Sequence, residues 1–362
     1  MNLAVDLRDP SSFPTRRVEA WKYTDLRRWL RETPPVSPAA EVAPGGPFAA
    51  LGGDELAVVN GRCDGFPGLI AEGPGDHVAR LRFVSTADDA GHQTTVAVEV
   101  KAGASLLLLE SYEGQATGYV SNVALTITVG AGARLTRIVI EDDAADALSL
   151  SAAEVALGEG AAFSQMVLTT GAKLQRHETR VAHPGHGAEV RIDGIYLLSG
   201  ARHSDLTSVV SHGGLDGVTS QLTKGVVRDA ARGVFQGKII VERGADGTDA
   251  RMGHHALILG ERAEVDARPE LEIYADDVQC AHGNTVGNLD EAALFYMQQR
   301  GIPADEARAL LTQAFLIEVV DRIDHEGARA VARTWLDEKL NPLPAREGLS
   351  ARRPSRRSGA KG

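Results

Sequence analysis

Apolar and polar positions along the chain fall into three textures. Between Thr15 and Leu30, Val18, Trp21, Leu26, Trp29 and Leu30 recur at mostly helical spacing, which predicts a helix whose final turn Thr24-Asp25 would cap. Two tryptophans in so short a helix predict that it packs onto another surface, this chain's own or a partner's. The run TPPVSPAAEVAPGGP follows, with five prolines and two glycines, and reads as a linker. From about Leu56 to Asn284, short β-rich runs such as VALTITV, ARLTRIVIE and GVFQGKIIVE alternate with glycine-centred turns.

From about Asp290 the pattern is helical again. In GIPADEARALLTQAFLIEVVDRI, Pro303 suits a first helical turn and Asp305 and Glu306 complement the helix dipole there. Leu311, Ala314, Phe315 and Val319 form one stripe, widened by Leu310, Ile317 and Val320. That is more apolar circumference than one contact needs, so part of it is expected to meet a partner. A second helix, GARAVARTWLDEKL, places Ala328, Val331, Ala332, Trp335 and Leu336 on one face.

The β-rich stretch carries a repeat. A Gly-Ala step, followed each time by a β run, falls at Gly103-Ala104, Gly132-Ala133, Gly160-Ala161 and Gly187-Ala188, at spacings of 29, 28 and 27 residues. A strand–glycine turn–strand unit of that length predicts stacked coils of a β-solenoid, since one unit cannot bury its apolar face alone. Glycines would take the corners with φ > 0, and alanines would fit beside them. The 5% aromatic content predicts a narrow interior of Val, Ile, Leu and Ala. A β-sandwich would turn every 8 to 12 residues or so.

Charge and cysteine content narrow the function. The 362 residues carry a net charge of -11, while the last twelve (ARRPSRRSGAKG) hold five basic residues and no acid. The body is therefore the more acidic, which argues against nucleic acid as a partner. No run approaches a membrane span, and no secretory leader is expected. The two cysteines, Cys63 and Cys280, lie far apart outside any CxxC, so a reducing cytoplasm is expected. Phosphate-loop, nucleophile-elbow and metalloprotease motifs are all missing, so no enzyme class is indicated.

Histidines and cysteines are the remaining chemistry. His177, His183, His186 and the adjacent pair His254-His255 are expected on the surface or in turns, with His254 and His255 on opposite faces of a strand. In IYADDVQCAHGNTVG, Cys280 and His282 lie two apart in an extended segment and share a face. A thiolate beside an imidazole suits iron or zinc, but two donors do not close a site. A structural cysteine beside a turn histidine is the plainer alternative. An acidic-polysaccharide enzyme using Asp276, Asp277 and Asp290 would need a basic or aromatic cleft, for which the sequence offers little.

The runs KGVVRDAARGVFQGKIIVERGADGTDA and AEVDARPELEIYADDVQCAHGNTVGNLDEAALFYMQQRGI closely resemble the SufB/SufD family of iron–sulfur cluster assembly scaffolds, and EAWKYTDL at 19–26 resembles its SufD branch. The resemblance implies a mainly β fold, a right-handed parallel β-helix (solenoid) flanked by N-terminal and C-terminal α-helical regions. The expected divisions are 1–50 for the N-terminal helical region and linker, 51–287 for the β-helix core, 288–345 for a C-terminal helical region that docks an ATPase, and 346–362 for a disordered basic tail. It further implies pairing with a SufB-like paralogue through the β-helices, and a SufC-like ABC ATPase on the C-terminal helices. Cys280 and His282 match the family's CxH and would be transient contacts for a nascent iron–sulfur cluster shared with the partner. Leu310, Leu311, Phe315 and Val319 are the expected docking side chains. The segment TDARMGHHALILG departs from the family, whose members often read close to TDAHQ there. Nothing in the residues argues for a flavin site. Homodimers would be the alternative pairing in isolation, and a purely architectural subunit, with all cluster chemistry on SufB, is the alternative function.

Overall fold

The computed structural model describes residues 5–65 and 68–340 of the chain, and the expected basic tail lies outside them. Among the described residues, two parallel sheets face each other. The first holds β1 (Asp54–Val59), β3 (Asp76–Ser85), β5 (Ser105–Gly114), β7 (Arg134–Asp142), β9 (Ala162–Thr169), β11 (Glu189–Leu198), β13 (Val218–Val227), β15 (Asp249–Ile258) and β17 (Gln279–Gly287), in that spatial order. The second holds β2 (Gly68–Ala71), β4 (Gly91–Val100), β6 (Val120–Val129), β8 (Leu148–Leu157), β10 (Leu174–His183), β12 (His203–His212), β14 (Arg232–Val241) and β16 (Glu264–Ile273), also in order. Successive strands therefore alternate between sheets, and each pairs only with the strands one coil away. This is the parallel solenoid of about eight turns that the glycine repeat predicts.

The repeat appears directly in the register. Leu106 pairs with Leu135, Leu135 with Phe163, and Phe163 with Val190, at the predicted spacings. Two kinds of glycine make the corners. Gly132 sits at φ +63°, where a side chain is strained but has room. Gly158 sits where a Cβ would lie 2.6 Å from the Ala131 backbone nitrogen of the preceding coil. Ala104, Ala133, Ala161 and Ala188, beside the positive-φ glycines, are all fully buried.

The interior departs from the expected aliphatic lining. Its early coils are apolar, with Leu81, Val96, Leu108, Leu125 and Leu135 packed together. Its middle coils hold a buried polar seam. Arg137 grips Glu110 through two bonds of 2.7 and 2.8 Å and donates to Gln165 at 2.6 Å, and neither charged side chain is exposed. Glu141 accepts from Ser151, from the His177 Nδ1–H at 2.8 Å and from Gln175. Tyrosines and phenylalanines also enter, among them Tyr112, Tyr196, Phe163 and Phe235. Strand alternation sets which side chains point inward; it does not demand that they be apolar, provided their polar atoms are bonded.

Both outer faces are covered by the chain itself. The N-terminal segment is not one helix. It has short 3-10 turns at Pro10–Ser12 and Glu19–Trp21, then a single helical turn, α1 (Leu26–Trp29). Asp25 caps α1 through the Arg28 N–H, as expected, and Thr24 donates to Asp205 on β12 at 2.5 Å. A side chain so engaged at the sheet ends helical propagation from Thr15. Leu7, Phe13, Leu26 and Leu30 pack onto Val120, Leu148, Leu150 and Leu174, so the docking surface is this chain's own. The proline-rich run is extended and tied down, with Ser37 donating to the Gly91 carbonyl and Asn60 to the Pro38 carbonyl.

The helices α2 (Glu291–Gln299), α3 (Ala304–Val320) and α4 (Glu326–Leu340) follow the last strand. Helices α3 and α4 lie on the outer face of the nine-stranded sheet, where Leu316, Val319, Val320, Trp335 and Leu336 meet Ile138, Met166, Ile195 and Leu222. The buried face of α4 is the predicted one. That of α3 is turned by about a third of the circumference, through Thr312, Leu316, Val319 and Val320, with Ala314 exposed.

Replacing either corner glycine by alanine separates the two roles. Gly132→Ala should cost about 1–2 kcal/mol for the left-handed conformation alone. Gly158→Ala should cost more, because backbone of the preceding coil must move. Denaturant midpoints of the two variants check this, and equal midpoints would count against the stacking argument.

Candidate functional site

Among the described residues the solenoid ends at β16 and β17, and each of these strands has a hydrogen-bonded neighbour on one side only. The row of residues Leu106, Leu135, Phe163, Val190, Thr219 and Ala250 ends at Cys280. The adjacent inward row, which carries Arg137, Gln165 and Gln221, ends at His282, and the next one ends at Asn284. Cys280, His282 and Asn284 thus share the inner face of the last strand, at the open mouth of the solenoid. Cys280 is half-buried against the cluster that contains Ala250 and Met252, whereas His282 and Asn284 are exposed.

One coil inward, His254 is fully buried and stacked on Phe235, with ring centroids 4.6 Å apart and planes within 7°. Its Nδ1 is 2.7 Å from Asn284 Oδ1 and its Nε2 is 2.9 Å from the Tyr196 hydroxyl. With Asn284 accepting, Nδ1 carries the proton and Nε2 accepts from Tyr196. Burial lowers the His254 pKa to about 4, against an opposing contribution from the Asn284 bond. A neutral, twice-bonded imidazole therefore fixes the middle of β17, next to the CxH pair. Continuing the two-residue alternation from Cys280 to Asn284, and stepping back one 30-residue coil, would have found both residues in the sequence.

The Cys280 thiol is pushed up by burial, with the Asp249 carboxylate adding to the effect. It is held protonated at neutral pH, so it becomes a ligand or nucleophile only when a cation or base takes its proton. No group of three or more His, Cys, Asp or Glu side chains that could hold a metal ion occurs among the described residues. The pair alone supplies two donors at a surface that another chain can reach. Asp276 and Asp277 lie in the exposed turn before β17, where Asp277 meets Gly247 through its carbonyl. Asp290 caps α2 by accepting from Ala292 and Ala293.

Several histidine expectations are corrected. His177, His183 and His254 are buried inside the solenoid, where each finds a polar partner; His186 is exposed as expected. His183 Nε2 and His212 Nδ1 are 2.7 Å apart in an edge-to-face pair. His255 lies on the opposite face from His254 and bonds Thr285. Of the expected docking side chains, Val319 has no accessible surface and belongs to the chain's own packing. Leu311 and Phe315 are half-buried, Phe315 lying under the Lys224 ammonium, and Leu310 is exposed. The larger apolar surfaces in this region are Phe295 and Tyr296 on α2, each exposed by 60% or more. No described helix is long and apolar enough to cross a membrane.

The fold is thus a parallel solenoid that carries a cysteine–histidine pair on the inner face of its last strand. Residues 83–315 match the SufBD core domain of the SUF system for FeS cluster assembly, and the chain belongs to that family. Within it the chain is SufD-like. It is 34% identical over 216 residues to the iron–sulfur cluster assembly protein SufD of Escherichia coli, covering 59% of this chain and 51% of that one. It is 30% identical over 240 residues to a SufBD family protein of Synechocystis, covering 64% of this chain and 53% of the relative. A SufBD family protein of Mycobacterium leprae is 28% identical over 351 residues, 87% of either chain. The match spans about half the length of the first two relatives. Family membership supports a role in iron–sulfur cluster assembly.

The depressed His254 pKa makes a pH-dependent stability contribution. Its folded value lies below that of an unfolded histidine, so the contribution is present above about pH 6.5 and is lost as the pH falls toward about 4. Asp143 and Asp193, raised to about 6 by burial, act in the opposite direction, so a difference measurement is needed. The stability gap between the unmodified chain and His254→Gln should narrow between pH 7 and pH 5, by up to about 2 kcal/mol. A gap independent of pH would show that His254 takes up its proton over the same pH range in the folded and unfolded chain.

Proposed function

We propose that this chain is a non-catalytic scaffold subunit of a SUF cluster assembly complex, working in the cytoplasm. The observation that carries the reading is the last strand β17, whose outer edge meets no further strand among the described residues, with Cys280 and His282 on its inner face. An open parallel edge has a row of unmet backbone donors and acceptors and is a template for another chain. A SufB-like paralogue would pair there, bringing the ligands that two donors lack. The nascent cluster is cargo: iron and sulfide would be held transiently between the partner's ligands and Cys280 and His282, then passed to an apo-protein. Transfer of the proton from the Cys280 thiol would accompany metal capture.

The C-terminal helices would dock a SufC-like ABC ATPase. Leu310, with Phe295 and Tyr296 on α2, offers apolar surface, while Val319 and the buried face of α3 hold the helices to the solenoid. Such an anchorage couples helix movement to the nine-stranded sheet whose last member is β17. Closure of two ATPase subunits would then shift the partner interface, which is a rigid-body mode of coupling. A second reading is purely architectural, with all cluster chemistry on the paralogue. The protonated state of Cys280 and the small donor count favour it to that extent.

Co-expression with SufB-like and SufC-like proteins of the same genome, followed by size exclusion and mass measurement, tests the assembly. Both should co-elute, and removal of residues 290–345 should release the ATPase alone. In the assembled complex, His282→Ala should reduce cluster formation at least tenfold, which is about 1.4 kcal/mol of lost stabilisation. Normal cluster formation by a Cys280→Ala, His282→Ala double variant would establish the architectural reading instead.

A further inference from the structure

A second site lies away from the solenoid mouth, where the N-terminal segment crosses the outer face of the eight-stranded sheet. A cleft of about 500 Å³ opens there between Arg16, Lys22, Arg28 and Arg232, with His203 at its floor. Tyr23 and Trp29 complete the walls. In a chain of net charge -11 such a concentration of cations is itself unusual.

The charges are also unevenly satisfied. Arg232 is paired with Asp266 at 2.5 Å. Asp25, the one acidic wall residue, already accepts the Arg28 N–H at 3.1 Å. Arg16, Lys22 and Arg28 make no ion pair with any described residue; Lys22 instead lies 5.5 Å over the Tyr23 ring and Arg28 5.3 Å over the Trp29 ring. Lys173 approaches Trp29 at 5.3 Å as well. His203, buried at the base, donates its Nε2–H to the Thr24 hydroxyl oxygen, and that hydroxyl donates to Asp205. The floor is therefore built and bonded, while the rim holds cations without counter-ions.

We propose that this cleft binds the phosphate groups of a small phosphorylated ligand. Guanidinium forks match phosphate oxygens in pairs, and an ammonium adds a point charge. The volume is that of a ligand pocket, and the acidic body would repel an extended polyanion such as nucleic acid. Nothing in this argument depends on the cluster assembly reading, since the cleft and the mouth of the solenoid share no residue.

The probe is inorganic pyrophosphate, titrated into the full-length chain at low ionic strength and followed by calorimetry and tryptophan fluorescence. Saturable binding of one pyrophosphate per chain is expected. Lys22→Gln and Arg28→Gln, both at exposed positions, should each weaken binding about tenfold, which is the loss of one charge-assisted contact. Lys101→Gln, at a surface cation paired with Glu99 outside the cleft, should leave the affinity unchanged. Trp29→Phe should abolish the fluorescence change while calorimetric binding persists. Absence of saturable heat in the unmodified chain would overturn the proposal, as would equal affinities for Arg28→Gln and Lys101→Gln. Melting temperatures of the variants confirm that each is folded.

Discussion

In a parallel solenoid the backbone hydrogen bonds of one coil can be met only by the coils on either side. That dependence on the neighbour organises the rest of this molecule. It requires registers that repeat from Leu106 to Cys280, corners that bring backbones within reach of each other, and glycine where even a methyl group would intrude, as at Gly158. It also makes the ends unlike the middle. The first coils are clothed by the proline-rich run, through bonds to Asn60 and Arg62 and through Arg82, which reaches the Ala43 carbonyl. Among the described residues, no strand adds to β16 or β17.

The coil period was readable because it is enforced locally. Gly103, Gly132, Gly160 and Gly187 announce positive φ, and the alanine after each announces a corner with no room. The helices fared less evenly. The face of α4 follows from its own periodicity, but α3 has apolar residues all round, so its orientation is set by the sheet beneath and not by its pattern. The helix expected from Thr15 to Leu30 failed for a similar reason: Thr24 is committed to a sheet residue, a contact no local window contains.

The candidate site divides along the same line. Cys280 and His282 share a face by simple alternation, and the sequence says so. His254 and Asn284 bond across 30 residues of separation, which only the coil register reveals. The buried seam around Arg137 and Glu141 was hidden for the same reason, since a charged residue inside a β run looks like an outward one until its partner is known. Removing one member would leave a buried charge unmatched, which costs about 3–5 kcal/mol. A seam of that kind tolerates few alternative registers, because a one-residue slip would turn every one of its members outward.

These constraints together leave little freedom in how the molecule meets another. The outer face of one sheet is occupied by the N-terminal segment and that of the other by α3 and α4, each through a continuous apolar contact. Lateral association through either sheet face would first have to displace the chain's own covering, at roughly 1.5–3 kcal/mol for each large side chain re-exposed. The open edge at β16 and β17 needs no such displacement. Its backbone groups are already presented, and Ile273 and Val286 lie exposed beside them. Cys280 and His282 occupy that edge, so any chain that extends the sheets by one coil brings its own side chains into register with the pair. Under the proposed function, the position that is most favourable for assembly is thus also the one where a partner's ligands would join Cys280 and His282.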